Sequence, residues 1–193
     1  MMEYFTLFMG AAIVNNFVLT RFLGLCIFFG VSKSLSASVG MGMAVASILT
    51  ISSSLAWLVY HFVLVPYDLV FLKIVVIVVL MACCVQFLEI AIKKYAPALY
   101  EMWGIYLVLI ATNCVILGVP LINATENFGF IKSVVNAFGS GVGFALALIL
   151  MASLREKLQF ADVPKTLQGL GIAFVLAGML ALSFLGFSGM IPL

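Results

Sequence analysis

Between Lys73 and Gln86 the chain reads Ile74-Val75-Val76-Ile77-Val78-Val79-Leu80-Met81-Ala82-Cys83-Cys84-Val85. Every residue in the run is apolar, so any regular structure it forms is hydrophobic on all faces. A strand of a membrane β-barrel alternates lipid-facing and lumen-facing residues, and this run does not alternate. In lipid every backbone N–H and C=O needs an internal partner, which leaves the α-helix. The rest of the chain settles the surroundings of that helix. Hydrophobic types make up 66% of the 193 residues, and charged types 8%. A soluble domain carries about 25% charged residues. Nine Lys and Arg with seven Asp and Glu cannot clothe a core of this size in polar surface. Disorder, nucleic-acid binding and an ordinary cytosolic enzyme are thereby disfavoured, and a net charge of +2 gives no ground for a polyanion partner.

The same reading extends in both directions. A membrane helix needs roughly 17–25 mostly apolar residues. Six stretches qualify, at about 4–31, 37–61, 69–92, 103–122, 133–153 and 167–190. The expected fold is an all-α integral membrane protein, with residues 1–193 forming a single transmembrane domain. Glu3 precedes the first stretch, and neither a basic leader nor a small-residue cleavage site flanks it, so it reads as a retained span. Lys33, Lys93, Lys94, Arg155, Lys157 and Lys165 fall in the first, third and fifth connections. Only Lys73 and Lys132 lie on the opposite side, both at span edges. The positive-inside rule then puts both termini outside the cytoplasmic membrane.

Two internal echoes divide the chain. Cys26-Ile27-Phe28-Phe29-Gly30-Val31 recurs 88 residues later as Cys114-Val115-Ile116-Leu117-Gly118-Val119. Gly40-x-Gly42-x-Ala44-x-Ala46 recurs 101 residues later as Gly141-x-Gly143-x-Ala145-x-Ala147. Their shared order suggests two three-helix repeats, about 1–95 and 96–193. An odd number of spans per repeat inverts the second relative to the first. The first helix of each repeat is interrupted by polar residues: Asn15, Asn16, Thr20 and Arg21 in one, Thr112 and Asn113 in the other. Matched interruptions of this kind point to a mid-membrane site.

Cys26 and Cys114 stand at or just after those interruptions. Each can be a small packing residue, or a soft thiolate ligand suited to zinc or an iron–sulfur cluster. Two matched cysteines supply half of a four-thiolate site, so the other half has to come from a second chain. A redox-active disulfide is a weaker third option. Cys83 and Cys84 point apart on a regular helix and read as packing residues. Asn15, Asn16 and Asn113 read first as caps of half-helices, with ion coordination as the alternative. Arg21 either snorkels to the surface or offsets the negative charge of a thiolate centre. The paired glycine motifs read as close helix contacts. His61 reads as interfacial, and Gln86 with Glu89 as a solvated helix end. A secondary ion or solute transporter and a structural assembly protein remain open on these residues.

NNFVLTRFLGLCIFFGVSK at 15–33 and GIYLVLIATNCVILGVPLIN at 104–123 resemble the NqrDE/RnfAE family of membrane subunits. VQFLEIAIKK at 85–94, SLREKL at 153–158, ADVP at 161–164 and LSFLGFSGM at 182–190 extend the likeness over essentially the whole chain. Asn15-Asn16 looks more like the Rnf branch, and GSGVG at 139–143 more like the Nqr branch. The family commonly has proline where this chain has Ile27, and Pro and Thr where it has Val108 and Ala111. The resemblance implies a non-autonomous subunit of a redox-driven ion translocase. In it, Cys26 and Cys114 ligate the iron of a [2Fe-2S] cluster shared with a homologous, inverted RnfE-like subunit. Asn15, Asn16, Arg21, Thr112 and Asn113 are the candidates for the surroundings of that cluster. The implied setting is a bacterial or archaeal inner membrane, beside RnfB-, RnfC-, RnfD- and RnfG-like subunits. The complex would couple ferredoxin:NAD oxidoreduction to sodium or proton transport. A sodium-pumping NADH:quinone oxidoreductase is the related alternative.

Overall fold

The computed structural model describes residues 2–66, 70–95, 110, 113–158 and 168–187. Among these, every regular element is helical. Helix α1 (Met2–Met9) runs on as a π-helical turn, Gly10–Val14, and stops at Asn15. Two short helices follow, α2 (Phe17–Arg21) and α3 (Leu25–Val31). Helix α4 (Leu35–Val59) continues through a second π turn, Tyr60–Leu64. Helix α5 spans Lys73–Tyr95, α6 Cys114–Thr125, α7 Phe130–Leu158 and α8 Leu170–Leu185.

Among the described residues the longest apolar helices are Leu35–Leu64, of 30 residues, and Phe130–Leu158, of 29, each long enough to cross a bilayer unaided. At 1.5 Å per residue each is about 45 Å long, more than a hydrocarbon core of about 30 Å requires. The other apolar helices are shorter. The first expected span is divided into α1, α2 and α3, because polar Asn15, Asn16 and Arg21 interrupt it. Of the fourth, residues 103–109 and 111–112 lie outside the described residues, while Ile110 is helical and α6 supplies the rest. Val75, Val79, Phe87 and Ile90 on α5 and Phe174, Met179 and Leu182 on α8 are exposed. So much outward apolar surface belongs against lipid or another protein chain.

The centre of the molecule is the α4–α7 pair. A Cβ placed on Gly42 would lie 2.6 Å from the Ala145 Cβ, and one on Gly141 would lie 2.6 Å from the Ala46 Cα. The order of contacts reverses along the two chains, so the helices are antiparallel. The reversal continues to their far ends, where Trp57 Nε1–H donates to the Phe128 carbonyl at 2.8 Å. At the opposite end Arg155 Nη1 donates to Ser32 Oγ at 2.8 Å and to the Phe29 carbonyl at 3.0 Å. Glycine at these crossings lets backbones approach to the distance at which membrane helices gain most from packing. Val45, Leu49, Phe144, Leu148 and Met151 fill the rest of the seam and are buried.

A buried polar network pins α6 into the same seam. Asn123 Nδ2 donates to Ser53 Oγ at 2.9 Å and to Ser133 Oγ at 3.0 Å. It also reaches the Ser133 carbonyl at 3.2 Å, and Asn136 Nδ2 donates to Asn123 Oδ1 at 2.7 Å. A polar group left bare in this setting costs several kcal/mol, on the order of 2–7. The network therefore fixes the register of α4, α6 and α7 against one another.

Candidate functional site

The first break is built by local chemistry. Asn16 caps α2: its Oδ1 accepts from the Val18 N–H at 3.1 Å. Its Nδ2 donates to the Gly143 carbonyl at 2.7 Å, tying the break to α7. Helix α2 ends at Phe22, which takes the left-handed conformation with φ 55°. The Leu23 N–H then turns back to the Phe17 carbonyl at 3.0 Å. Gly24, at φ 78°, caps α3. A left-handed position is open to glycine and costly for most residues with a side chain. Cys26 follows in the first turn of α3.

The second break uses the same device. Asn113 caps α6, and its Oδ1 accepts from the Val115 N–H at 3.0 Å. Cys114 is the first residue of α6. Both Cys26 and Cys114 are exposed, while their neighbours Ile27, Phe28, Val115 and Ile116 are buried. The backbones are thus anchored in the core and the thiols face away from it. Cys114 also lines an apolar cleft of about 170 Å³ between α5 and α6.

The two breaks touch. A Cβ on Gly24 would lie 2.8 Å from Asn113 Oδ1 and 2.9 Å from Val115 Cγ2. A Cβ on Gly118 would lie 2.8 Å from Leu23 Cδ2. Segments about ninety residues apart in sequence therefore meet beside both cysteines. One polar atom in this contact is unusual: Asn113 is fully buried, and its Nδ2 has no hydrogen-bond partner among the described residues. An unsatisfied buried donor costs about 1–3 kcal/mol.

The remaining candidates fall in different places. Asn15 is half-buried and Arg21 exposed, and both line a cavity of about 420 Å³ that also meets Glu3, Glu126, Lys132 and Asn136. The Arg21 guanidinium lies 5.7 Å from the centre of the Phe17 ring. Lys132 Nζ pairs with Glu3 Oε1 at 2.5 Å on the rim. Thr112 lies outside the described residues. Cys83 is exposed and Cys84 half-buried on α5, which runs without a break from Lys73 to Tyr95. Among the described residues no three His, Cys, Asp or Glu side chains converge on a metal position. The His61 ring stacks on Trp57 at 5.0 Å, which makes it part of the end of α4.

Sequence reasoning passed over two features of the site. Gly24 carried no signal of its own, although a glycine two residues before a candidate ligand is a place where backbone can approach backbone. The Asn123–Asn136 network was also missed. Two asparagines in otherwise apolar helices were the available sign.

Residues 4–191 match the family described as Rnf-Nqr subunit, membrane protein. The chain is 72% identical over 193 residues, all of both chains, to the A subunit of the proton-translocating ferredoxin:NAD(+) oxidoreductase complex of Clostridium ljungdahlii. It is 51% identical over 193 residues, all of both chains, to the A subunit of the ion-translocating oxidoreductase complex of Tolumonas auensis. To the protein of the same description from Azoarcus sp. it is 50% identical over 190 residues, 98% of each chain. With the family matched over nearly its whole length and these relatives matched end to end, the chain belongs to the Rnf-Nqr family of membrane-protein subunits.

Proposed function

We propose that this chain is the RnfA-type member of an ion-translocating ferredoxin:NAD oxidoreductase complex, and that it serves there as an intramembrane electron relay. The observation that carries this reading is the pair of exposed thiols, Cys26 and Cys114, at the starts of two helices whose capping segments touch. The relatives' descriptions as subunits of oxidoreductase complexes support it. Cys26 and Cys114 would hold a [2Fe-2S] cluster jointly with two cysteines of a homologous, inverted RnfE-like subunit. The donor set fits such a group: two soft sulfur ligands, both exposed at the surface of the chain. When bound, the cluster supplies a one-electron carrier. The chain's own part is to hold the two thiolates still. Ile27 and Phe28 anchor one segment in the core, Val115 and Ile116 the other, and Asn16 and Asn113 cap the adjoining helices. Exposed apolar faces on α5 and α8 suit burial against lipid and the other Rnf subunits, RnfB-, RnfC-, RnfD- and RnfG-like.

The same reading takes the fold as six spans in two inverted repeats. Its support is the antiparallel crossing of the two Gly-x-Gly-x-Ala-x-Ala motifs on α4 and α7, and a capped break ahead of each cysteine. Both termini would face outside the inner membrane, with Lys93 and Lys94 in the cytoplasm. Alkaline phosphatase fused after Leu193 is expected to be active, and fused after Lys94 inactive. The reverse pattern would refute the orientation.

Assembly tests the function. Produced alone, the chain is expected to show no cluster absorbance, whereas co-produced with its homologous partner it should show a reduced-state paramagnetic signal. A full complement of cluster in the monomeric chain would overturn the shared site.

A further inference from the structure

We infer that helix α1 is a hinged lid over a water-filled cavity, and that the Glu3–Lys132 ion pair is its latch. The cavity is the one of about 420 Å³ that Asn15 and Arg21 line. Glu3, Leu7 and Ala11 form one of its walls. They are spaced four residues apart, so they share one face of α1 and of the π turn that continues it. Glu126, Lys132 and Asn136 stand among its other walls. Charged groups of both signs and two asparagines suit the space to water, whereas dry cavities are lined by apolar groups. Asn136 is 8% exposed, and its Nδ2 donates to Asn123 Oδ1 at 2.7 Å. The cavity therefore brings water from the side of Glu3 up to the buried network that registers α4, α6 and α7. Nothing in this inference depends on a cluster at Cys26 and Cys114.

The grip on this wall weakens steadily toward Met2. Ala12 is seated hard on α7, where a Cβ on Gly143 would lie 2.6 Å from its carbonyl oxygen. One turn back, a Cβ on Gly139 would lie 3.0 Å from the Phe8 carbonyl oxygen, and the Phe8 ring rests on Phe138 at 5.9 Å. No residue of Met2–Met9 is buried. Near its start α1 is tied to α7 by the ion pair, whose Lys132 and Glu3 side chains are 39% and 71% exposed. Exposed ion pairs are weak and exchange readily with water. The foot of the helix also holds a joint. In the π turn Gly10–Val14 the Asn15 N–H donates to the Gly10 carbonyl, five residues back, at 2.7 Å. Helices bend at such turns, which recur at functional sites. A seated foot, a joint and a weak latch make a part that can swing off the cavity without disturbing the core.

The test places a reporter thiol in the cavity of the intact complex, held in lipid nanodiscs that leave both faces open. Asn15→Cys and Asn136→Cys are each treated with a charged methanethiosulfonate, and the rate is read above that of the parent complex. Both reporters are expected to react, Asn136→Cys the more slowly. Adding Glu3→Gln or Lys132→Gln should speed each roughly three- to fivefold, the scale of an exposed ion pair. The charge-swapped pair, Glu3→Lys with Lys132→Glu, should return the rate to its starting value. Met151→Cys, at a fully buried position in the α4–α7 seam, should stay unreactive throughout. If Asn136→Cys fails to assemble, Asn15→Cys decides alone. Reporters that never react would show the cavity closed to water and overturn the inference. Rates indifferent to the latch variants would overturn the lid. So would equal acceleration at Met151→Cys, because the pair would then be holding the whole fold together.

Discussion

On the proposed relay reading, complex purified with Cys26→Ser or Cys114→Ser is expected to lose the paramagnetic signal of a reduced intramembrane cluster and, with it, electron flow. Serine keeps the shape of cysteine but offers a hard oxygen in place of a soft thiolate, which iron–sulfur centres require. Neither thiol is holding up the core, since both are exposed and the buried faces of α3 and α6 are made by Ile27, Phe28, Val115 and Ile116. The serine variants should therefore insert and assemble, so that the lost signal reports ligation and not misfolding. Cys83→Ala and Cys84→Ala provide the contrast. Those residues sit on unbroken α5, one exposed and one half-buried. Removing their sulfur should cost about 1 kcal/mol or less and leave the signal in place. A transporter or a purely structural protein would be indifferent to all four changes. Full signal and activity in the double serine complex would transfer the assignment to one of those classes.

The legible part of this molecule was the part governed by local chemistry. Ile74 to Leu80 could only be helical in lipid, and α5 is helical through that run. The glycines of the two repeated motifs promised close helix contacts, and Gly42 and Gly141 make them against Ala145 and Ala46. Asn16 and Asn113 read as caps because an asparagine side chain reaches an N–H two residues ahead, which needs no knowledge of the fold. What separates the two asparagines was not legible. The Gly143 carbonyl that occupies Asn16 is 127 residues away in sequence, and nothing near Asn113 announces that its own amide finds no such acceptor among the described residues. Gly24 is similar. Its left-handed φ and its approach to Asn113 come from the meeting of two breaks, a tertiary event. The number of spans was the least secure reading. Apolar length counts residues, whereas a helix that stops at Asn15 and resumes at Phe17 no longer crosses as one piece.

Gly141→Val is expected to destabilise the protein strongly, with the complex accumulating poorly and melting early in detergent. The first added carbon alone would lie 2.6 Å from the Ala46 Cα and 2.8 Å from its Cβ. Neither atom belongs to a side chain that can turn aside, so the helices have to move apart. Overpacking of this kind costs about 1–3 kcal/mol in a soluble core. In lipid no hydrophobic force draws separated helices back together, because their association rests on packing and hydrogen bonds. Separation also carries the Gly143 carbonyl away from Asn16 Nδ2, now 2.7 Å apart, and so loosens the first break. Complex that does assemble should hold less cluster per molecule for that reason. Gly178→Ala on α8 is the control. A Cβ there meets nothing within 4 Å, and alanine favours a helix over glycine by about 1 kcal/mol. That variant should be as stable as the parent or more so. If Gly141→Val proved as stable as Gly178→Ala, with full cluster content, the close crossing of α4 and α7 could not be what positions the site.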